Sequence, residues 1–381
     1  MKRRVILTVL LLAVWLFVAT LLYKTVVLML VLLVWRRQVR ERLPLRAKGW
    51  GMGAIWAVMV IALWVAMPRY RTDCADRVRL LYLDREGGVR HAPLTHYLAN
   101  VLLPEEEVIN LGIHNLTLAR PFLRKAGLGN TLIEQAKEDT DRRKIGNFYK
   151  PYHNLGLENP MSGVYPQLFN QTFGTNDRVA YVCEPRGDDH VAWSKDNGYK
   201  YPLVVFCHGC LGNWQLYQGI WKDLDNCIVL SIGTRGLDGI FTSGDIRDIF
   251  DYYLPALQRM DYSIDYDQIH LMGLSNGGSA INAAMHSAWA GMFRSITILS
   301  CNLSGLRRVP CQVNLVGGGK DGGSRLLPSQ CRRLRTMGVD ADIYFDQDEN
   351  HYIMVNKREE IIQFLKKRMN LRCVATKCEA I

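Results

Sequence analysis

The chain has 381 residues, of which 49% are hydrophobic, and this is enough apolar material for a large folded domain and argues against global disorder. The formal net charge of +11 comes from the N-terminal segment: residues 1–72 hold 12 lysines and arginines and one acid, whereas bases and acids balance in the rest. Because the basic charge is confined to that segment, and no interleaved basic and aromatic motif follows it, the sequence argues against nucleic-acid binding.

Two long apolar runs open the chain, at residues 5–35, where Lys24 is the only charge, and at 50–67. Since roughly 20 apolar residues cross ~30 Å of hydrocarbon, both runs predict membrane spans. Residues 5–35 fit one tilted span with Lys24 reaching the interface, which we favour, or a shorter span followed by a return. A cleaved signal peptide is the alternative, but no small-x-small cleavage site follows and a second apolar run comes after it.

The segment between these runs, residues 36–48, holds six basic residues and one acid. By the positive-inside rule this segment is expected on the cytoplasmic side of the membrane. The second span then carries the chain outward. The sequence therefore predicts a two-span or multi-pass anchor over residues 1–70 in the cell membrane, with the remainder on the exoplasmic (periplasmic or extracellular) side.

Residues 71–175 show no sustained pattern of strands or helices, and glycine, proline, asparagine and aromatic residues are frequent in their second half. Such a composition is typical of loops. We expect this part of the chain to be a connector or an accessory N-terminal extension.

From residue 176 onward, short apolar runs alternate with amphipathic stretches. The pattern predicts strands that begin near residues 177, 201, 227, 268, 295, 311 and 341, and helices over 214–224, 244–260, 276–289, 328–338 and 357–369. Ser243 is placed to cap the second of these helices. Alternating strands and helices predict an α/β domain with a mostly parallel sheet over residues 176–371, followed by a tail at 372–381.

The segment Gly273-Leu274-Ser275-Asn276-Gly277 fits the pattern G-x-S-x-G and joins a predicted strand to a predicted helix. In such a turn the flanking side chains would collide, so glycine is needed, and the serine is held in a strained conformation with its hydroxyl exposed. The helix N-terminus favours developing negative charge. We predict that Ser275 is a nucleophile; the alternative is a structural glycine-rich turn.

A serine hydroxyl needs a base, and in this arrangement the chain order is expected to be serine, acid, histidine. His351 is the only histidine after residue 286 and follows the last predicted strand. Asp321 follows an earlier strand and is the favoured acid, which would orient the imidazole. Asp346 and Asp348 are rivals because they lie near His351 in sequence.

The oxyanion formed during acyl transfer needs two donors. One is the backbone N–H of Asn276, and the second is expected from the loop after the strand at 201–207, where Gly209 precedes Cys210. We assign the second donor to the backbone N–H of Cys210. The C-x-x-C spacing of Cys207 and Cys210 also permits a redox role, but no thioredoxin-like pattern accompanies it, and no second ligand pair supports a metal site.

Ten cysteines lie outside the apolar runs, and their even number permits disulfides on the exoplasmic side. Cys301 with Cys311, or Cys373 with Cys378, are the pairs suggested by spacing alone. Connectivity cannot be read from the sequence.

Together these residues resemble the α/β-hydrolase superfamily, over roughly residues 176–371. The stretch 201–217 is similar to platelet-activating-factor acetylhydrolases and dienelactone-hydrolase-like esterases, and the stretch around Ser275 is similar to feruloyl esterases and polyester depolymerases. The resemblance implies an α/β-hydrolase fold and a serine hydrolase that works through an acyl-enzyme without metal or organic cofactor.

We therefore expect a membrane-anchored serine hydrolase acting on carboxylic esters, with a small-molecule or lipid-like ester as its substrate. A peptidase or amidase of the same fold is the enzymatic alternative. A non-catalytic scaffold built on a hydrolase fold is the alternative from another class. The sequence leaves the oligomeric state open.

Overall fold

The computed structural model describes residues 2–17, 21–42, 48–66, 77–91, 177–185, 190–209, 217–224, 226–234, 239–303, 305–306 and 309–371. The helices before residue 70 and the sheet that follows belong to two separate units of the chain.

Three helices make up the described part of the first unit: α1 (Lys2–Phe17), α2 (Leu21–Arg42) and α3 (Lys48–Ala66). The indole N–H of Trp35 in α2 donates to Thr8 Oγ1 in α1 at 2.6 Å, and Lys24 Nζ lies 5.0 Å from the ring centre of Trp15. The chain therefore reverses between α1 and α2. Our favoured interpretation of residues 5–35 as one helix is wrong, and the alternative with a return is closer.

Helix α2 continues to Arg42, beyond the apolar run that ends at residue 35, and so includes the first part of the predicted basic segment 36–48. Among the helices in the part of the chain that the structure describes, none is both long enough and apolar enough to cross a membrane.

The second unit contains a nine-stranded sheet with the strand order β2-β1-β3-β5-β4-β6-β7-β8-β9. Strands β4 to β9 run parallel to one another, whereas β3 is antiparallel to both of its neighbours and β1 and β2 form an antiparallel hairpin. The strands are β1 (Val78–Leu83), β2 (Val89–Arg90), β3 (Arg178–Cys183), β4 (Tyr201–Cys207), β5 (Ile228–Ile232), β6 (Ile264–Leu274), β7 (Ser295–Leu299), β8 (Gln312–Gly318) and β9 (Ala341–Asp346). All seven predicted strands are therefore present.

Strand β1 corrects the predicted domain boundary at residue 176. Residues 78–83 pair along their whole length with β3, and Asp84 accepts backbone N–H bonds from Glu86 and Gly88 in the turn that leads to β2. The segment 78–90 is thus an integral part of the sheet rather than an accessory extension. The remaining residues of the predicted connector, 71–76 and 92–175, lie outside the described residues.

Helices cover both faces of the sheet. On one face, alternate residues such as Leu203, Val205 and Leu315 form the main apolar core with the helices after β5, β6 and β8. On the other face, Phe206 packs against Trp221 with ring centres 4.9 Å apart. The described helices of this unit are α4 (His190–Asp196), α5 (Gln218–Trp221), α6 (Ser243–Asp248), α7 (Leu254–Arg259), α8 (Gly278–Met285), α9 (Leu327–Thr336), α10 (Ile353–Asn356) and α11 (Arg358–Arg368).

The helix predicted over 244–260 is interrupted by a π-helical turn at Ile249–Tyr253 that joins α6 to α7. Pro255 lies in the first turn of α7 and has no N–H to donate, so the α-helical hydrogen-bond pattern cannot run through this point. The cap is Thr242, whose N–H and hydroxyl both bind the Asp245 carboxylate at 2.7 Å. The expected cap at Ser243 is therefore wrong by one residue.

Six cysteines in the described residues have free thiols: Cys183, Cys207, Cys227, Cys301, Cys311 and Cys331. The suggested disulfide between Cys301 and Cys311 is therefore wrong. The other suggested pair, Cys373 with Cys378, lies outside the described residues.

His270 in β6 is a buried core histidine whose Nδ1 lies 2.7 Å from Ser295 Oγ. Burial, together with the positive charge of Arg294, lowers the pKa of His270 to about 4. The unfolded chain, where the ordinary value is about 6.5, thus binds a proton at a pH at which the folded protein does not. His270 therefore costs the protein stability as the pH falls from about 6.5 towards 4.

We expect acidification from pH 7 to pH 5 to lower the free energy of unfolding of the full chain by about 2 kcal/mol through His270. The variant His270→Gln keeps an amide for Ser295 but does not titrate, so its loss of stability over this interval should be smaller by that amount. Urea unfolding at the two pH values measures the difference. His286→Gln, at an exposed helix end, is the control, and an equal pH dependence in wild type and His270→Gln would refute the prediction.

Candidate active site

Because parallel strands all end at one edge of a sheet, the residues that follow β4, β6, β7, β8 and β9 share that edge. Gly209 follows β4, Ser275 follows β6, Asp321 follows β8 and His351 follows β9. The fold therefore brings the residues predicted for catalysis to the same side of the sheet, although they are spread over more than a third of the chain.

The turn at Ser275 has the predicted strained geometry. Ser275 has a φ of +53°, in the left-handed region that side-chain-bearing residues rarely adopt, and a 3-10 turn (Ser275–Gly277) leads directly into α8. A Cβ at Gly273 would lie 2.4 Å from the carbonyl oxygen of Gly277, and one at Gly277 would lie 2.2 Å from that of Cys207. Glycine is thus required at both positions, as the sequence predicts.

Asp321 and His351 are in contact: Nδ1 of His351 lies 3.2 Å from Oδ2 of Asp321. The carboxylate is almost fully buried, whereas about a quarter of the histidine side chain is exposed. The rival acids lie elsewhere, since Asp346 pairs with Lys357 at 3.3 Å and the side chain of Asp348 is 90% exposed. Of the three candidate acids, geometry favours Asp321.

The surroundings of Asp321 stabilise its charged form. Ser324 Oγ lies 2.7 Å from Oδ2, and the backbone N–H of Gly323 donates to Oδ1 at 3.0 Å. Burial on its own raises the pKa of Asp321, but the interactions with His351 and these two donors outweigh it and hold the pKa below the ordinary value. Asp321 is therefore an anion at neutral pH and can orient the imidazole.

A run of three glycines at the end of β8, residues 317–319, lets the loop that carries His351 approach closely. A Cβ at Gly318 would lie 2.1 Å from the carbonyl oxygen of Glu349, and one at Gly319 would lie 2.5 Å from that of Gln347. The N–H of Lys320 also donates to Glu349 O at 2.9 Å. Our sequence reasoning did not use this glycine run, although it is visible in the sequence.

Gly318→Ala is expected to push the His351 loop away from Asp321 and to lower kcat about 100-fold, because displacements near 1 Å in a catalytic constellation cost roughly that much. Gly322→Ala is the matched control, since its Cβ would contact nothing and its backbone is not left-handed. Ester hydrolysis rates for the two variants test this. Equal activity of Gly318→Ala and wild type would show that the loop position is unimportant.

The loop after β4 lies beside the serine. A Cβ at Gly209 would be 3.2 Å from the Ser275 Cβ and 3.7 Å from its Oγ. The buried imidazole of His208 fixes this loop, because its Nδ1 lies 2.6 Å from Gly209 O and its Nε2 accepts the N–H of Thr234 at 3.2 Å. The predicted donor Cys210 follows Gly209 directly but lies outside the described residues.

The other predicted oxyanion donor, Asn276, is held in the first turn after Ser275. Its carbonyl accepts the hydroxyl of Ser279 at 2.7 Å, and Ser279 Oγ in turn accepts the N–H of Phe241 at 2.7 Å. These contacts connect the turn to the segment before α6. They fix the Asn276–Gly277 peptide, which directly follows the peptide whose N–H the sequence assigns to the oxyanion.

Residues 300 and 301, which directly follow β7, lie between the Asp321–His351 pair and the turn at Ser275 and contact both. Ser300 Oγ donates to the backbone oxygen of His351 at 3.1 Å. Cys301 Sγ lies 3.9 Å from Gly273 O and interacts with the Ser275 backbone. Sequence reasoning missed both residues, because nothing in the local pattern marks the end of β7 as different from any other strand end.

A mixed α/β sheet flanked by helices, with a strained serine between strand and helix and the chain order serine, aspartate, histidine, defines an α/β-hydrolase fold. The resemblance predicted from the sequence is therefore confirmed at the level of the fold. The predicted sheet is also confirmed, with the addition of the β1–β2 hairpin.

Comparisons with known proteins found similar solved structures. A thermostable esterase is 18% identical, with 51% of this chain and 60% of that chain covered and a TM-score of 0.37. A hyperthermophilic esterase from Pyrobaculum calidifontis is 13% identical, with 51% and 81% covered and a TM-score of 0.38. An acylaminoacyl peptidase from Pyrococcus horikoshii is 14% identical, with 53% and 41% covered and a TM-score of 0.37.

The chain thus spans 60% of the length of the thermostable esterase. No protein-family model and no curated protein sequence matches the chain.

Proposed function

We propose that the protein is a serine hydrolase that cleaves carboxylic esters through an acyl-enzyme on Ser275. The observation that carries the proposal is the left-handed, glycine-constrained turn at Ser275 on the sheet edge that also bears the Asp321–His351 pair. A strained serine of this kind is costly to maintain, and such strain is typical of catalytic sites.

In the proposed reaction His351 takes the proton of the Ser275 hydroxyl as its oxygen attacks the ester carbonyl. The backbone N–H groups of Asn276 and Cys210 bind the resulting oxyanion. The tetrahedral intermediate then collapses, and His351 gives the proton to the departing alkoxide, which leaves as an alcohol. Water attacks the acyl-enzyme by the same route and releases the carboxylic acid.

Asp321 acts in this scheme through His351 rather than on the substrate. Its charge holds the proton on Nδ1, so that Nε2 is free to accept the serine proton, and it stabilises the imidazolium that forms. The depressed pKa of Asp321 supports this role, because the carboxylate stays ionised at the pH where the histidine must work.

Labelling of the purified full chain with a fluorophosphonate probe tests the proposal. We expect one covalent adduct on Ser275 in wild type and none in Ser275→Ala, with Ser194→Ala, a buried serine of α4, labelled normally. Hydrolysis of p-nitrophenyl esters of increasing acyl length, compared with aminoacyl p-nitroanilides, then identifies the substrate class. Turnover of anilides alone would favour a peptidase, and absence of any adduct would favour a non-catalytic scaffold.

Although no single described helix is both long enough and apolar enough to cross a membrane, we further propose that helices α1 to α3 together attach the protein to a lipid membrane with the sheet domain on the exoplasmic side. The proposal is supported by large apolar side chains that are more than half exposed on α1 and α3: Ile6, Val9, Leu10, Leu16, Val58, Val60 and Ile61. Exposed apolar surface of this kind is typical of membrane contact. The six basic residues of 36–48 support a cytoplasmic position of this segment in the proposed orientation.

Membrane fractionation of cells that express the full chain tests this attachment. We expect the protein to stay in the pellet after a carbonate wash, and we expect protease added outside intact cells or spheroplasts to degrade the sheet domain. Release into the carbonate supernatant would refute attachment by the helices. Protection from external protease would refute the exoplasmic orientation.

A further inference from the structure

The residue that follows β7 is held in an unfavourable backbone conformation. Ser300 has a φ of +48° and is almost completely buried. A non-glycine residue keeps such a conformation only where its surroundings fix it, and such positions cluster at functional sites. The contacts of Ser300 show what the conformation achieves.

Ser300 connects the loops of two residues of the proposed triad. Its hydroxyl donates to the backbone oxygen of His351 at 3.1 Å, and its own N–H donates to Val316 O in β8 at 2.9 Å. A Cβ added at Gly323, whose N–H binds Asp321, would lie only 3.3 Å from the Ser300 carbonyl oxygen, so the two backbones approach closely. Ser300 therefore touches the loop that carries the histidine and the loop that carries the acid.

The next residue, Cys301, lies beneath the serine turn. Its Sγ is 3.9 Å from Gly273 O, and the Ser275 backbone contacts it. A Cβ added at Gly278 would lie 2.7 Å from this Sγ, so the thiol packs closely against that glycine. Burial and the nearby charge of Asp321 raise the pKa of the Cys301 thiol to about 12, so the group is a protonated donor at neutral pH.

We propose that Ser300 and Cys301 are positioning residues. Ser300 holds the loop that carries His351 and Cys301 holds the turn that carries Ser275, so that the two side chains keep their relative positions at the end of β7. The two side chains of one strained turn contact the two loops between which the proton must pass. This inference rests on the proposed serine-hydrolase function. Neither residue touches the reacting atoms, so each acts through the residue that it supports.

Ser300→Gly tests the first half of the proposal. Glycine adopts the left-handed conformation without strain, so folding should be unimpaired, but the contact to His351 O is lost. We expect kcat for p-nitrophenyl ester hydrolysis to fall roughly 10-fold to 100-fold with KM little changed. The low-field proton NMR signal of the imidazole N–H between His351 and Asp321 should weaken or shift. Ser300→Ala is expected to behave in the same way.

Ser194→Ala is the matched control, because Ser194 is equally buried and donates to the backbone oxygen of Val191 at 2.9 Å, far along the chain from the triad residues. It should leave kcat and the low-field signal as in wild type. Wild-type kcat and an unchanged signal in Ser300→Gly and Ser300→Ala would overturn the role of Ser300.

Cys301→Ala tests the second half. We expect the rate of fluorophosphonate labelling of Ser275 to fall roughly 10-fold, and Cys301→Ser to recover part of it because a hydroxyl can also donate to Gly273 O. Cys227→Ala is the control, since this buried thiol donates to Leu224 O at 3.1 Å away from the site. Equal labelling rates in Cys301→Ala and Cys227→Ala would overturn the role of Cys301.

The measurements separate this inference from the proposed function. If wild type is labelled and hydrolyses esters but the Ser300 and Cys301 variants match it, only the positioning inference fails. If wild type itself is neither labelled nor active, the proposed function fails. The low-field signal in the Ser300 variants then still decides whether this residue positions the Asp321–His351 pair.

Discussion

His351→Gln is expected to lower kcat for ester hydrolysis about 10⁶-fold, the size of effect seen when the base of a serine triad is removed. Glutamine is polar and close in size to histidine, but it cannot take up the proton of Ser275 at neutral pH. The nucleophile then remains a neutral alcohol, which attacks an ester very slowly. Stopped assays with p-nitrophenyl esters, together with the rate of fluorophosphonate labelling, measure the effect.

His286→Gln is the control for this variant. His286 is exposed at the end of α8, with Nδ1 2.8 Å from the carbonyl oxygen of Asn282 one turn earlier in the same helix. We expect its activity to equal that of wild type. Retention of even a tenth of the wild-type kcat by His351→Gln would mean that another group serves as the base, and the assignment of His351 would be wrong.

The parts of the site that the sequence predicted are those with a local signature. Gly273, Ser275 and Gly277 form a turn whose steric demands act over five residues, so the residue types alone define it. Asp321 was favoured over Asp346 and Asp348 because it lies just beyond a predicted strand at the carboxyl edge of the sheet, and the contact with His351 supports that choice. The strands after residue 176 were found because buried parallel strands are short, continuous apolar runs.

The features that the sequence did not predict depend on contacts between distant segments. In the sequence, strand β1 is only a short apolar run within an otherwise irregular region. Its partner β3 lies about a hundred residues further along the chain. The sequence left the reversal between α1 and α2 open as an alternative, because a contact between Thr8 and Trp35 fixes it. Ser300 looks like any residue at a strand end until its left-handed conformation and its bond to the His351 backbone are known.

Asp321→Asn is expected to lower kcat about 10⁴-fold, less than the loss of the base itself. An amide at this position can present its N–H to Nδ1 of His351, which moves the imidazole proton to Nε2 and leaves no acceptor for the Ser275 hydroxyl. KM should change little, because Asp321 is buried behind the histidine and touches no substrate. Steady-state kinetics over the neutral pH range measure both parameters.

Asp348→Asn is the matched control, since it is the same substitution three residues before His351 at a side chain that is 90% exposed. It should keep the wild-type kcat. If Asp348→Asn or Asp346→Asn abolished activity while Asp321→Asn kept it, the orienting acid would be one of the rivals. The buried contact at 3.2 Å between Asp321 and His351 would then be structural, and a rearranged His351 loop would be the active form.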